Sequence, residues 1–361
     1  IKKVAFFLVI LSPFVLKAQK NYTLISSGEN ILKGNKCIAE GEYDQAIGFF
    51  EKVNQSDTNY HIAQYNKIIS LFSNKQYIEL EKTSIKSLQN ENDYSSKIYR
   101  LYISSLINRK SFDKAREVIL EATDAFPLCF EYEHQLAIIL IQEKKIDEAI
   151  KLLQKIINVH PQHSKSHYEL AKIKADQGYV AEAILGFEMA IISNRSSVVI
   201  KESYLAMEDV MNNNYEVIEK YKGENDFKLL DQMIQSKVAL KENYKSKLGL
   251  NYIVDRQTDL LMSQFSFKAK DNSFGMNYYG KFLNELIKKG FQEEYILYIL
   301  GVIKSKEIDK KKKKHAVELT KFKLFLKKYW HEHQNNFKYD IKGVVYKGEY
   351  NYNYEGELFG I

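Results

Sequence analysis

Apolar positions recur along this chain at helical spacing, and four stretches repeat nearly the same phrase. They are "GEYDQAIGFFEKV" (41–53), "FDKAREVILEA" (112–122), "IDEAIKLLQKI" (146–156) and "VAEAILGFEMA" (180–190). Each carries a stripe at i, i+4, i+7: Ala46/Phe50/Val53, Ala115/Ile119/Ala122, Ala149/Leu153/Ile156 and Ala183/Phe187/Ala190. That spacing marks one face of a helix. The small residue lets two backbones approach and the larger ones fill the space beside it. A second stripe precedes each phrase, as in Leu136, Ala137 and Leu140, or Leu170, Ala171 and Lys174. Gly41 and Gly178 fall between the two helices, where glycine eases a turn. Pro127 and Pro161 each lie 12 residues beyond the stripe alanine and close the second helix.

The stripe alanines are separated by 69, 34 and 34 residues. The long gap holds one more unit, "YIELEKTSIKS" (77–87), with Leu80 where alanine is expected and Ser84 and Ser87 on the core stripe. Five units therefore run with steps of 34, 35, 34 and 34. A fixed period of this size predicts stacked helical hairpins. A sixth, decayed unit fits 198–221, with Tyr215 placed 35 residues after Val180.

A 34-residue helix–turn–helix with this small–large–small spacing and a closing proline resembles the tetratricopeptide repeat (TPR) family over residues 27–196. The resemblance implies an all-α chain with a right-handed α-solenoid, whose first helices line a concave groove holding a protein or peptide. The inward positions map to Tyr65, Asn66 and Phe72, to Lys97, Arg100, Ser104 and Asn108, to His134 and Gln135, and to Tyr168 and Lys172. The basic and amide pattern by which some members clamp a C-terminal carboxylate is not matched, because the lysine and arginine fall at other groove positions.

Beyond the repeats the helical patterning continues without a period. The expected organisation is a leader over 1–18, a repeat solenoid over 19–221, a helical C-terminal domain over 222–336 that caps it, and a short β-like tail over 337–361. In that tail "VVYKGEYNYNYEGELFG" (344–360) alternates tyrosine with polar residues, the period of a hairpin.

Composition adds little to this picture. The 361 residues are 45% hydrophobic and 27% charged, with 16 glycines and 3 prolines, which favours helices over many short strands. A net charge of +7 is too mild to name nucleic acid. The start is distinctive: Lys2 and Lys3, an apolar run from Val4 to Leu16, then "LKAQ". This is the order of a secretory signal peptide, and the run is shorter than the roughly 20 residues a spanning helix needs. Cleavage after Ala18 would leave Gln19 first. The expected location is exported: periplasmic or outer-membrane-associated rather than extracellular. Cys37 and Cys129 lie on separate units and are expected to stay unpaired.

Candidate chemistry is sparse. His160, His163 and His167 include a pair one helical turn apart, but Pro161 interrupts them and no carboxylate or cysteine joins at ligand spacing, so a polar inter-repeat loop is expected. Lys310, Lys311, Lys312, Lys313 and Lys314 form a run that could touch an acidic surface. No P-loop, dinucleotide fingerprint, nucleophile elbow or zinc signature is present. The reading is a non-enzymatic scaffold that needs no cofactor or metal and binds a protein or peptide, with a secretion, envelope-assembly or motility machine as its expected setting. The alternative is an enzyme whose catalytic domain is 222–336, targeted by the repeats.

Overall fold

A computed structural model describes residues 27–193, 197–212, 225–268, 273–334, 338–341 and 344–347. The leader, residues 213–224 with Tyr215, and the tail from 348 onward lie outside the described residues. The chain divides into two compact units, one ending at Val118 and the other starting at Ile119.

In the first unit, α1 (Ser27–Glu40) and α2 (Tyr43–Phe50) form one hairpin, and α3 (Tyr60–Ser73) and α4 (Tyr77–Leu88) form the next. α5 (Ser95–Asn108) follows, then α6 (Phe112–Ala125), which runs across the boundary. Each hairpin turns in the same way. The first helix ends on a residue with positive φ: Gly41, Lys75, Lys110, Lys144 and Gly178. These five residues repeat the steps of 34, 35, 34 and 34. At every one, the next amide bonds back across six residues, as from Glu42 to the Cys37 carbonyl at 2.8 Å and from Ser111 to the Leu106 carbonyl at 2.9 Å. This is a Schellman closure, which satisfies the last carbonyls of the helix. The turn thus establishes the register of repeat two, where the core stripe is weakest.

The stripes are buried as the spacing demands. Ala46, Leu80, Ala115, Ala149 and Ala183 are fully inaccessible. One turn later stand Phe50, Ser84, Ile119, Leu153 and Phe187, all buried. Repeat two inverts the usual order, with leucine at the small position and serine at the large one. In repeat one, Gly34 of α1 admits the Phe50 ring, since a Cβ on Gly34 would lie 2.5 Å from it.

The second unit continues with α7 (Phe130–Gln142), α8 (Ile146–Val159), α9 (Ser164–Asp176) and α10 (Val180–Ser193). α11 (Ser197–Met211) packs on α9 and α10, where the first helix of a sixth repeat would stand. The helices read from the non-periodic region follow: α12 (Lys228–Gln235), α13 (Ile253–Gln264), α14 (Lys281–Lys289) and α15 (Gln292–Ile299). A π-helical turn (Met276–Gly280) leads into α14. α16 (Lys306–Lys314) and α17 (Ala316–Gln334) complete the set. α11, α12, α13, the π-helical turn and α15 pack around α10, every residue of which from Val180 to Ile192 is buried. A helix apolar all round needs such cover. One continuous core runs from Ala171 to Trp330. Phe282, Tyr295, Phe322, Phe325, Tyr329 and Trp330 form its aromatic end, where the Phe282 and Trp330 rings stack at 6.1 Å.

β1 (Lys338–Ile341) and β2 (Val344–Lys347) pair antiparallel, with Tyr339 opposite Tyr346. The hairpin therefore begins before the alternating tyrosines, and Val344–Lys347 is its second strand.

Candidate functional site: the inward face of the first helices

In the first unit α3 and α5 pack side by side and bring their inward residues together. Tyr65 is buried, and its ring stacks on Tyr94 at 5.2 Å with 22° between the planes. The Lys97 ammonium lies 5.8 Å from both ring centroids, within cation–π reach. Burial raises the pKa of the Tyr65 hydroxyl, and the Arg100 charge opposes that shift. Tyr65, Lys97 and Arg100 thus form one cluster. Tyr94 belongs to it as well, but it sits in the loop before α5, off the repeat stripe, so periodicity gives no sign of it. Asn66 is buried and donates from Nδ2 to Asn35 Oδ1 at 2.9 Å, an amide link between the first two repeats. Phe72 turns toward Tyr77, ring to ring at 5.8 Å. Ser104 is half-buried and Asn108 exposed, each one helical turn further along the face that starts at Arg100.

In the second unit His134 and Gln135 are buried rather than presented to solvent. The His134 ring lies 5.3 Å from that of His163, whose Nδ1 accepts the Ser166 amide at 3.3 Å. Nε2 of His163 stands 3.6 Å from Glu131 Oε1. His167 donates from Nε2 to the Pro161 carbonyl at 2.9 Å, and its Nδ1 accepts the Tyr279 hydroxyl at 3.1 Å. The expected polar loop is therefore a histidine seam, because Pro161 and the π-helical turn fold over it. Burial, aided by the His163 charge, holds His134 down at about 3 and His160 at about 4; burial alone leads for His167, at about 3. Among the described residues no group of three or more His, Cys, Asp or Glu is placed to hold a metal ion. Tyr168 is half-buried against Phe187, at 5.9 Å between rings. Lys172 lies 5.2 Å over the Tyr168 ring and 3.2 Å from Glu169.

The lysine run does not form a uniform patch. It makes up most of α16, whose Ile308 is buried. Lys311 donates to the Leu248 carbonyl, and Lys312 is half-buried over Gly301. A contact of all five lysines with one acidic surface is not supported.

Buried carboxyls of the second unit, Glu188, Asp231 and Asp255 among them, have the raised pKa that often marks catalysis. Burial raises Glu188 to about 7. Both its oxygens are engaged, by Thr258 Oγ1 at 2.7 Å and the Tyr295 hydroxyl at 3.0 Å, and the residue is wholly inaccessible. It ties α10 to α13 and α15. His315 likewise bridges Glu294 at 3.0 Å and Glu293 at 3.6 Å beside an open cleft of about 380 Å³. Neither Cys37, buried in α1, nor Cys129, at the start of α7, forms a disulfide among the described residues. No helix among the described residues is long and apolar enough to cross a membrane.

No protein-family model matches the chain, and no curated protein matches it. Among solved structures, a MamA double mutant is similar at 14% identity over 52% of this chain and 96% of that one, with a TM-score of 0.36. YrrB, described as a TPR protein with an unusual peptide-binding site, is similar at 18% identity over 50% of this chain and 91% of that one, with a TM-score of 0.33. Likenesses of this degree carry no inference about ligands. The helical-hairpin repeat rests on this chain's own stripes and turns.

Proposed function

We propose that the chain is a non-enzymatic, exported scaffold that holds a protein or peptide segment on the inward face of its first helices. The observation that carries this is the Tyr65–Tyr94 stack with Lys97 at its edge and Arg100 beside it. Tyr94, half-buried and backed by the buried Tyr65 ring, offers a rigid apolar face with a polar tip, and arginine offers a planar fork to a carboxylate or carbonyl. Tyr168 with Lys172 supplies a second platform of the same kind in the other unit. Export is supported by the charged, apolar, small-residue order of residues 1–18. N-terminal sequencing of exported protein should then begin near Gln19.

The test is selection of a displayed peptide library on the purified chain, followed by affinity measurement of the selected peptides. Arg100→Ala and Tyr168→Ala should each weaken binding by roughly 1–3 kcal/mol, the range of an anchor residue. Full affinity in the double variant would move the interface off these helices. A large loss of thermal stability in either variant would make the residue part of the core.

A further inference from the structure

We propose that the outward face of α17 docks on an anionic lipid surface. Phe322, Leu326, Tyr329 and Trp330 bury one side of this helix. At 100° per residue the opposite arc is centred on Val317 and Leu324, seven residues apart and 63% and 62% exposed. Lys321 and Lys328 flank that pair on one side, and Lys323 and Lys327 on the other, all exposed. α17 itself holds four lysines against Glu318 and Glu332, a surplus of +2, and the exposed Lys328 lies 3.6 Å from Glu332. Burial lowers the Lys312 pKa, and the Lys323 charge adds to that shift.

Two features select lipid over other acidic partners. The centre of the face is apolar, which suits the boundary between headgroups and acyl chains but has no counterpart on a nucleic-acid backbone. The cations are lysines without a single arginine, so the face offers diffuse point charge rather than forked hydrogen bonds to defined groups. A leaflet of mobile anionic headgroups is the matching field.

The test is flotation of the full chain with vesicles of phosphatidylcholine alone or with about 30% phosphatidylserine, the kind of anionic leaflet that draws basic segments. Binding should appear only on the anionic vesicles and fall sharply between about 0.1 M and 0.5 M salt, as screened surface charge requires. Reversing Lys321 and Lys328 to glutamate should cost at least tenfold in partitioning, since each lysine near such a surface is worth roughly fivefold. Val317→Ser with Leu324→Ser should also weaken binding. All four side chains point outward, so Trp330 fluorescence should stay native. The proposal is overturned by absence of flotation, by equal flotation on neutral vesicles, or by full binding in the serine variant. Retention on polyglutamate or duplex DNA without flotation would also overturn it, in favour of a macromolecular partner.

Discussion

Repeats two and five place the same helix at the same step of the period, yet they are held in opposite ways. α4 buries Leu80, Thr83 and Ser84 and leaves Ile78 and Ile85 exposed on its far side. α10 is buried on every side. The backbone register is identical, because Lys75 and Gly178 close their turns with the same pair of hydrogen bonds. One buried face is therefore enough to define a unit of this fold. What covers the remaining faces is decided by distant sequence, here α12 to α15.

The strongest way to break this comparison is at its shared position. Phe187→Ala should cost about 3–5 kcal/mol, the usual range for emptying a packed aromatic site. Ser84→Ala, at the equivalent step, should instead stabilise the protein by about 1 kcal/mol, because its buried hydroxyl has no hydrogen-bond partner among the described residues. Urea titrations would read both, and equal losses at the two sites would refute the contrast.

Glu188 sharpens it next. Its folded pKa of about 7 lies above the ordinary 4.5, so the native state keeps a proton that the unfolded chain releases. That contribution is complete below about 4.5 and is lost as pH rises through 7, of the order of 3 kcal/mol. Glu188→Gln should lack this decline. The sole tryptophan, Trp330, lies in the same core and would follow it by fluorescence. A variant with the same pH slope as the parent would show that the carboxyl is not held neutral.

The histidine seam acts from the acid side. His134 faces Glu131, His163 and Lys165 and is held near 3, well below its ordinary 6.5. Its contribution is complete above 6.5 and is lost as pH falls toward 3, because only the unfolded chain takes up the proton. His134→Gln should lower proton uptake on unfolding at pH 5 by close to one. No change in that number would mean the imidazole is already solvated.

The smallest effect concerns the turns. Lys75, Lys110 and Lys144 hold left-handed backbone that costs an L-residue about 1 kcal/mol or more. Replacing any of them with glycine should gain roughly 0.5 kcal/mol after glycine's greater entropy loss is subtracted. Gly41→Ala and Gly178→Ala should lose about 1 kcal/mol. Calorimetry of the five variants would rank them, and a gain from alanine would contradict the positive φ.

The repeats were legible because their signal is local: a period, a small–large stripe and a closing proline. α12 to α15 and α17 were legible from local apolar patterning alone, without a period. Their arrangement around α10 was not, since Glu188 meets Thr258 and Tyr295 across 70 and 107 residues of sequence. α16 was hidden because lysines carry no amphipathic stripe, and only Ile308 anchors it. At the candidate site, the resemblance assigned Tyr65, Lys97 and Arg100 to one face. It could not supply Tyr94, nor foresee that His134 and Gln135 would be covered.

The one step of 35 among the 34s also has a practical use. The extra residue falls between α4 and α5, in the connection 89–94. There Asn92 fastens the chain through the Tyr94 amide at 2.9 Å and Ser95 Oγ at 2.9 Å. Asn90 and Glu91, just ahead of it, are exposed. A length difference already accommodated at this joint makes it the natural place to graft an epitope or a fluorophore cassette, which would leave the stripes on both sides in phase.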